Sequence, residues 1–133
     1  MNQYYNYEWM RGYNPTSSEL FKPNMAFRNG NLFSNLYQGY KNYKPASLNA
    51  SSDKERKMIE LSEICFAAHE LNLYLDLHPE DRSMFLLFQD YQKRADQLKK
   101  EYEEKYGPLC IDSEMKNNFT WSNTNWPWEG KNV

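Results

Sequence analysis

Two imidazoles and four carboxylates crowd into residues 69–81: His69, Glu70, Asp76, His78, Glu80 and Asp81. These are the side chains that hold metal ions or move protons, so the first chemistry to test is hydrolysis at a metal centre. A helical zinc-protease motif needs a second histidine four residues after the first, and position 73 is leucine. His69 also lies more than two helical turns before His78, while Glu80 and Asp81 suit the positive end of a helix dipole. Asp76, an acid at the end of one helix, is unfavourable there unless it turns to accept backbone N–H groups of the next. His78, ahead of Pro79, reads as a corner residue. No phosphate-binding glycine loop and no serine, histidine and aspartate order is present. The expectation is therefore no catalytic residues, no metal ligands and no cofactor, with Asp76, His78 and Pro79 marking a turn.

The elements around that turn are two helices. Ser52 with Glu55 three residues on forms a capping box. Met58, Leu61, Cys65, Ala68, Asn72 and Leu75 then recur three and four apart, the seam of a paired helix, and Ile64 and Leu71 widen it. Ile59, Phe66 and Leu73 fall off this stripe. After the corner, Pro79 fits a first helical position, with Glu80 and Asp81 in the first turn. Met84, Phe88, Tyr91, Ala95, Leu98 and Tyr102 make the second stripe, and Gly107-Pro108 stops it. Asp90/Arg94 and Glu101/Lys105 have the spacing of ion pairs within one helix. The predicted fold is mainly α: an antiparallel, coiled-coil-like two-helix hairpin over residues 51–112, with largely irregular N- and C-terminal extensions.

The extensions carry the aromatic residues. Seven of the eleven tyrosines precede residue 50, and Trp121, Trp126 and Trp128 follow residue 120. Residues 1–50 hold nine asparagines and three prolines and lack sustained periodicity, so they are expected to be mostly disordered in isolation. A denser portion about 25–45 contains Phe27, Leu32, Phe33, Leu36, Tyr37, Tyr40 and Tyr43, spaced for a short amphipathic turn against a partner or for a sticky linker. The Trp126-Pro127-Trp128 segment within residues 113–133 is expected to be extended at its proline and to present large contact faces, suited to a lid or an anchor. Candidate partner-binding residues are Phe33, Leu36, Tyr37, Tyr40, Trp121, Trp126 and Trp128.

Composition excludes several classes. The net charge of −2 divides into about +3 over residues 1–50 and about −5 beyond, with scattered basic residues, which is no nucleic-acid footprint. No apolar run approaches the ~18 residues of a membrane span, and the first residues lack a secretory signal, so the chain is expected to stay inside a cell. Cys65 falls on the apolar stripe as an inert thiol, whereas Cys110 lies beyond the helix end and is expected to be the exposed one. With the corner near Leu77 the two are ~30 Å apart, too far for a bridge that needs Cα atoms within ~7 Å. A hairpin this small buries little apolar surface, and Phe66, Leu73, Phe85 and Leu86 lie outside its central stripes. Another chain, its own tails or self-association must complete it.

Four motifs stand in order along the chain: Ala67-Ala68-His69-Glu70-Leu71; Leu73-Tyr74-Leu75-Asp76 with His78-Pro79; Tyr102-Glu103 with Lys105-Tyr106-Gly107-Pro108-Leu109; and Trp126-Pro127-Trp128-Glu129. In order and spacing they resemble the spore coat protein JB family of endospore-forming bacteria over roughly residues 58–130. Leu77 replaces a threonine common in that family, and Asn125 a proline. Arg28-Asn29-Gly30-Asn31-Leu32-Phe33-Ser34-Asn35-Leu36-Tyr37 is similar to short segments of other spore proteins, including the coat protein JA family. The resemblance implies a non-enzymatic structural component of the inner spore coat, made in the mother cell. Its implied partners are a small JA-like protein and a JC-like protein related to manganese catalase. Two alternatives remain open: a small metal- or redox-linked accessory protein using His69, Glu70, Asp76 or His78, and a sporulation adaptor outside the coat.

Overall fold

The computed structural model of the protein describes residues 19–123. Among the described residues three helices follow one another, α1 (Pro23–Asn29), α2 (Asp53–Leu77) and α3 (Arg82–Tyr106), before a 3-10 turn at Trp121–Asn123. The α2 and α3 helices form the antiparallel hairpin, and α1 packs on α2. The only pairing of extended backbone among the described residues is an isolated antiparallel bridge between Leu20 and Phe33.

Serine begins α2. The Ser52 hydroxyl accepts from the Glu55 N–H at 3.1 Å, satisfying one of the donors a helix start leaves open. Glu55 reaches back over the cap, where Ser51 is its main partner and the Ser52 N–H a lesser one. Its carboxylate takes the neighbouring Ser51, which offers both a backbone N–H and a hydroxyl, the latter at 2.6 Å. The buried face of α2 also differs from the seam read in the sequence: it comprises Leu61, Ile64, Ala67, Ala68, Leu71 and Tyr74, while Cys65 and Asn72 are exposed. The reason is that α2 has two neighbours rather than one. Its covered face turns to lie between α3 and the N-terminal segment.

On α3 the predicted stripe survives. Met84, Leu98 and Tyr102 are buried, and Phe88, Tyr91 and Ala95 are half-buried against the core. The helix starts three residues later than Pro79 suggests, with Asp81 as its cap. Gly107 ends it in the left-handed region at φ 103°, its N–H donating to the Glu103 carbonyl. The chain then folds back over that end. The Leu109 N–H and the Ser113 hydroxyl both donate to Glu103 Oε1, at 3.0 and 2.5 Å, and Leu109 packs against the Leu61–Ile64–Leu98 cluster.

The expected pairs within α3 are replaced by pairs across the hairpin. Lys105 meets Asp53 at 2.7 Å, Glu101 meets Lys57 at 3.1 Å and Arg94 meets Glu60 at 3.3 Å. Each joins one helix to the other at a different level, so together they favour a single antiparallel register. Individually such exposed pairs contribute little.

The largest departure from expectation is in the N-terminal extension. Residues 19–34 are not left to solvent. They close into a clip: the Phe21 N–H donates to the Leu32 carbonyl at 2.8 Å and the Ser34 N–H to the Glu19 carbonyl at 2.8 Å. Pro23 sits in the first turn of α1, and Gly30 at φ 70° ends the helix in a conformation that glycine adopts readily. Ala26 and Leu32 are fully buried and Phe33 nearly so, in one cluster with Ala67, Leu71, Tyr74 and Met84. Of the three ways to complete the hairpin, one of its own extensions supplies this face.

Candidate functional site

The corner that gathers the ionisable residues is built by capping. Asp81 Oδ1 accepts from the Ser83 and Met84 N–H groups, each at 3.1 Å, and from the Ser83 hydroxyl at 2.7 Å. Its other oxygen accepts from the Tyr74 hydroxyl at 3.0 Å, tying the two helices together. Partial burial raises the Asp81 carboxyl, but the bonds from Ser83, Met84 and Tyr74 outweigh it and hold the group below the ordinary range. Asp81 therefore plays the part that the sequence suggested for Asp76, which stays exposed in the last turn of α2. The reason is position: Asp81 immediately precedes the first helical residue, where its oxygen reaches the second and third N–H groups.

His78 is 7 % exposed and caps the end of α2. Its N–H donates to the Tyr74 carbonyl at 3.0 Å, its own carbonyl accepts from the Asp81 N–H at 3.1 Å, and its ring stacks on Tyr74 with centroids 4.4 Å apart. Pro79 and Glu80 are exposed in the turn. His69 lies elsewhere, in a shallow groove between α2 and α3 with Cys65, Asn72, Phe88 and Asp96. Glu70 points the other way, its carboxylate accepting the Leu32 N–H of the clip at 3.3 Å. The acids and imidazoles thus diverge. Among the described residues no three histidine, cysteine, aspartate or glutamate side chains are grouped to hold a metal ion.

The thiols reverse their expected exposure: Cys65 is exposed and Cys110 half-buried, and neither is in a disulfide. The turned α2 face carries Cys65 out of the core. Desolvation by the groove around it pushes its thiol up, the direction of an unreactive group.

The expected partner-binding residues divide into three sets. Phe33, expected on a partner-facing surface, is instead internal, its ring 5.4 Å from that of Tyr74; an aromatic group beside uncovered Leu71 and Tyr74 is satisfied within its own chain. Leu36 and Tyr40 remain exposed, Tyr40 at 84 %, while Tyr37 is half-buried edge-on to Phe21, with ring centroids 5.8 Å apart. With Tyr43 these three line an open hollow of about 550 Å³ beside Gly30. Trp121 is half-buried in the 3-10 turn, and Trp126 and Trp128 lie outside the described residues.

A second apolar surface was only partly legible. Leu73 and Leu77 on the last turns of α2, and Phe85 and Leu86 on the first turn of α3, are all exposed. They surround the corner end of the hairpin. The sequence marked Leu73, Phe85 and Leu86 as off the central stripes, but not Leu77. Glu70 was the placement missed outright, and Asp81, expected in the first turn as a dipole partner, is the cap itself. An aspartate directly before Arg82-Ser83 is a cap signal, whereas nothing local marks Glu70, whose partner is 38 residues away.

Residues 55–129 match the CotJB family, described as CotJB protein. The chain belongs to the CotJB family. No curated protein and no solved structure matches it. Membership makes this a spore-coat-related chain, and the matched region includes the whole corner and most of the hairpin, while the clip lies outside it. CotJB membership also fits a helical unit in which no helix among the described residues is long and apolar enough to cross a membrane.

Proposed function

We propose that this CotJB-family chain is a non-enzymatic assembly component of the endospore coat that acts by holding neighbouring coat proteins. The observation that carries this reading is the exposed apolar set Leu73, Leu77, Phe85 and Leu86 at the corner end of the hairpin, beside an α2 face that the clip covers. A surface of that kind is stabilised by contact with another protein. The partners proposed are a JA-like small protein and a JC-like protein related to manganese catalase, in the inner coat layers, after synthesis in the mother cell. Trp121, Trp126 and Trp128 are proposed as additional anchors.

Affinity capture from sporulating cells tests this with the full chain, a Leu73→Ser/Phe85→Ser variant and a chain ending at residue 112. Loss of the same coat proteins from the double variant, with its melting temperature kept, is the expected result. An unchanged partner set in both altered chains overturns the docking surfaces. Recovery of the chain only in the soluble mother-cell fraction overturns the coat assignment in favour of an adaptor.

A further inference from the structure

The clip is a self-closed unit. Its two ends bond to each other through Phe21–Leu32 and Ser34–Glu19, so its backbone closes on itself as well as packing on the hairpin. It lies along α2 in the direction of the α2 chain: Phe27 meets Phe66, the Leu32 N–H meets Glu70, and Phe33 meets Tyr74. The clip therefore ends near the corner, whereas α2 begins at the opposite end, at Asp53. From Tyr74 back to Asp53 is 21 residues of helix, or about 32 Å. Residues 34–52 must run back over that distance, and they are exposed almost throughout.

A flexible chain of that length has a root-mean-square span of about 25 Å. Closure on its own hairpin is reachable but requires stretching. The effective concentration of the tethered clip is then on the order of millimolar or below. A clip from another molecule competes at comparable local concentration. It would make every contact the chain's own clip makes, so the contact energy is the same and only chain entropy and concentration decide.

We infer that the α2 face bearing Phe66, Glu70 and Tyr74 is an exchange site that accepts the clip of a second copy of this chain, seating that copy's Phe27, Leu32 and Phe33. The Arg28 Nε bond to the Ala46 carbonyl, at 3.2 Å, joins clip to linker within one chain and survives exchange. On the assembly reading, chains packed into a coat meet at such concentrations, and exchange links neighbours. The solution test below does not depend on that setting, and capture from cells does not depend on exchange.

Deleting residues 38–49 keeps every clip and hairpin residue but leaves eight steps from Phe33 to Asp53. These span at most about 29 Å even fully extended, short of the distance of about 32 Å that closure needs. The deletion variant is expected to sediment at twice the monomer mass or more, with its helical signal retained. Independently, full-length Leu32→Asp has a failed clip and an intact face, and Ala67→Glu has an intact clip and a failed face. Mixed, they are expected to give a one-to-one heterodimer by native mass spectrometry that neither gives alone. A deletion variant that stays monomeric at millimolar concentration, or a mixture without heterodimer, overturns the exchange site.

Discussion

Asp81 carries more of this structure than any other single acid, because one carboxylate closes the start of α3 and receives the hydroxyl of Tyr74 from α2. Asp81→Ala is expected to lower unfolding stability by about 1–2 kcal/mol, the range measured for lost helix caps. Asp76→Ala, at an exposed site, is expected to change it by less than about 0.5 kcal/mol. Chemical denaturation of the two variants distinguishes the capping residue from its neighbour five positions earlier. Leu32 is the corresponding test of the clip. It is fully buried among Leu71, Tyr74 and Met84, and Leu32→Ala is expected to cost about 2–4 kcal/mol, a value typical of a truncated core leucine. A cost near zero would show that the clip does not contribute to the folded core.

At the scale of elements, the hairpin is held in register by charge as well as by packing. The Asp53 carboxyl is held well below the ordinary value of 3.8 by bonds from Lys105, then Tyr106 and Arg56. Glu101 is held below 4.5 by Lys57 and then Gln97. Carboxyls lowered in the folded state contribute stability that is present above their ordinary values and is lost as pH falls through the lower, folded ones. Glu63 opposes them: burial, then Glu60, raises it, so protonating it favours the fold. Four lowered carboxyls, counting Asp81 and Glu55, set against one raised group give a net sign. The melting temperature is expected to be nearly level from about pH 7 to 5 and to fall below about pH 4. Glu101→Gln should flatten part of that acid limb. Because Asp53 and Glu101 are solvent-accessible, molar salt should shrink the effect, which thermal melts at two ionic strengths will measure.

For the whole molecule, the decisive feature is how apolar surface is distributed. The clip closes one side of the hairpin around Leu71, and Leu109 helps close the open end. The corner end keeps Leu73, Leu77, Phe85 and Leu86 in solvent. Covering these faces differently separates folding from association. Substitutions at the corner are expected to spare the melting transition while removing captured partners, whereas substitutions in the clip change both stability and exchange between copies. The proposed assembly role and the exchange site therefore have separate readouts on one chain.

The helical hairpin, its second stripe, the stop at Gly107-Pro108 and the family were all legible in the residues, because helix periodicity, caps and family motifs are written locally. The corner was legible as a turn. Which aspartate capped it was not, since Asp76 and Asp81 differ only in where α3 begins, and that boundary depended on the Tyr74 hydroxyl reaching across. The destination of Phe33 was hidden for the same kind of reason: an amphipathic segment looks alike whether its face meets a partner or its own chain. Only the tertiary structure decided that residues 19–34 cover α2. It turned Cys65 outward, set Glu70 on the clip, and left the corner end of the hairpin as an open apolar surface.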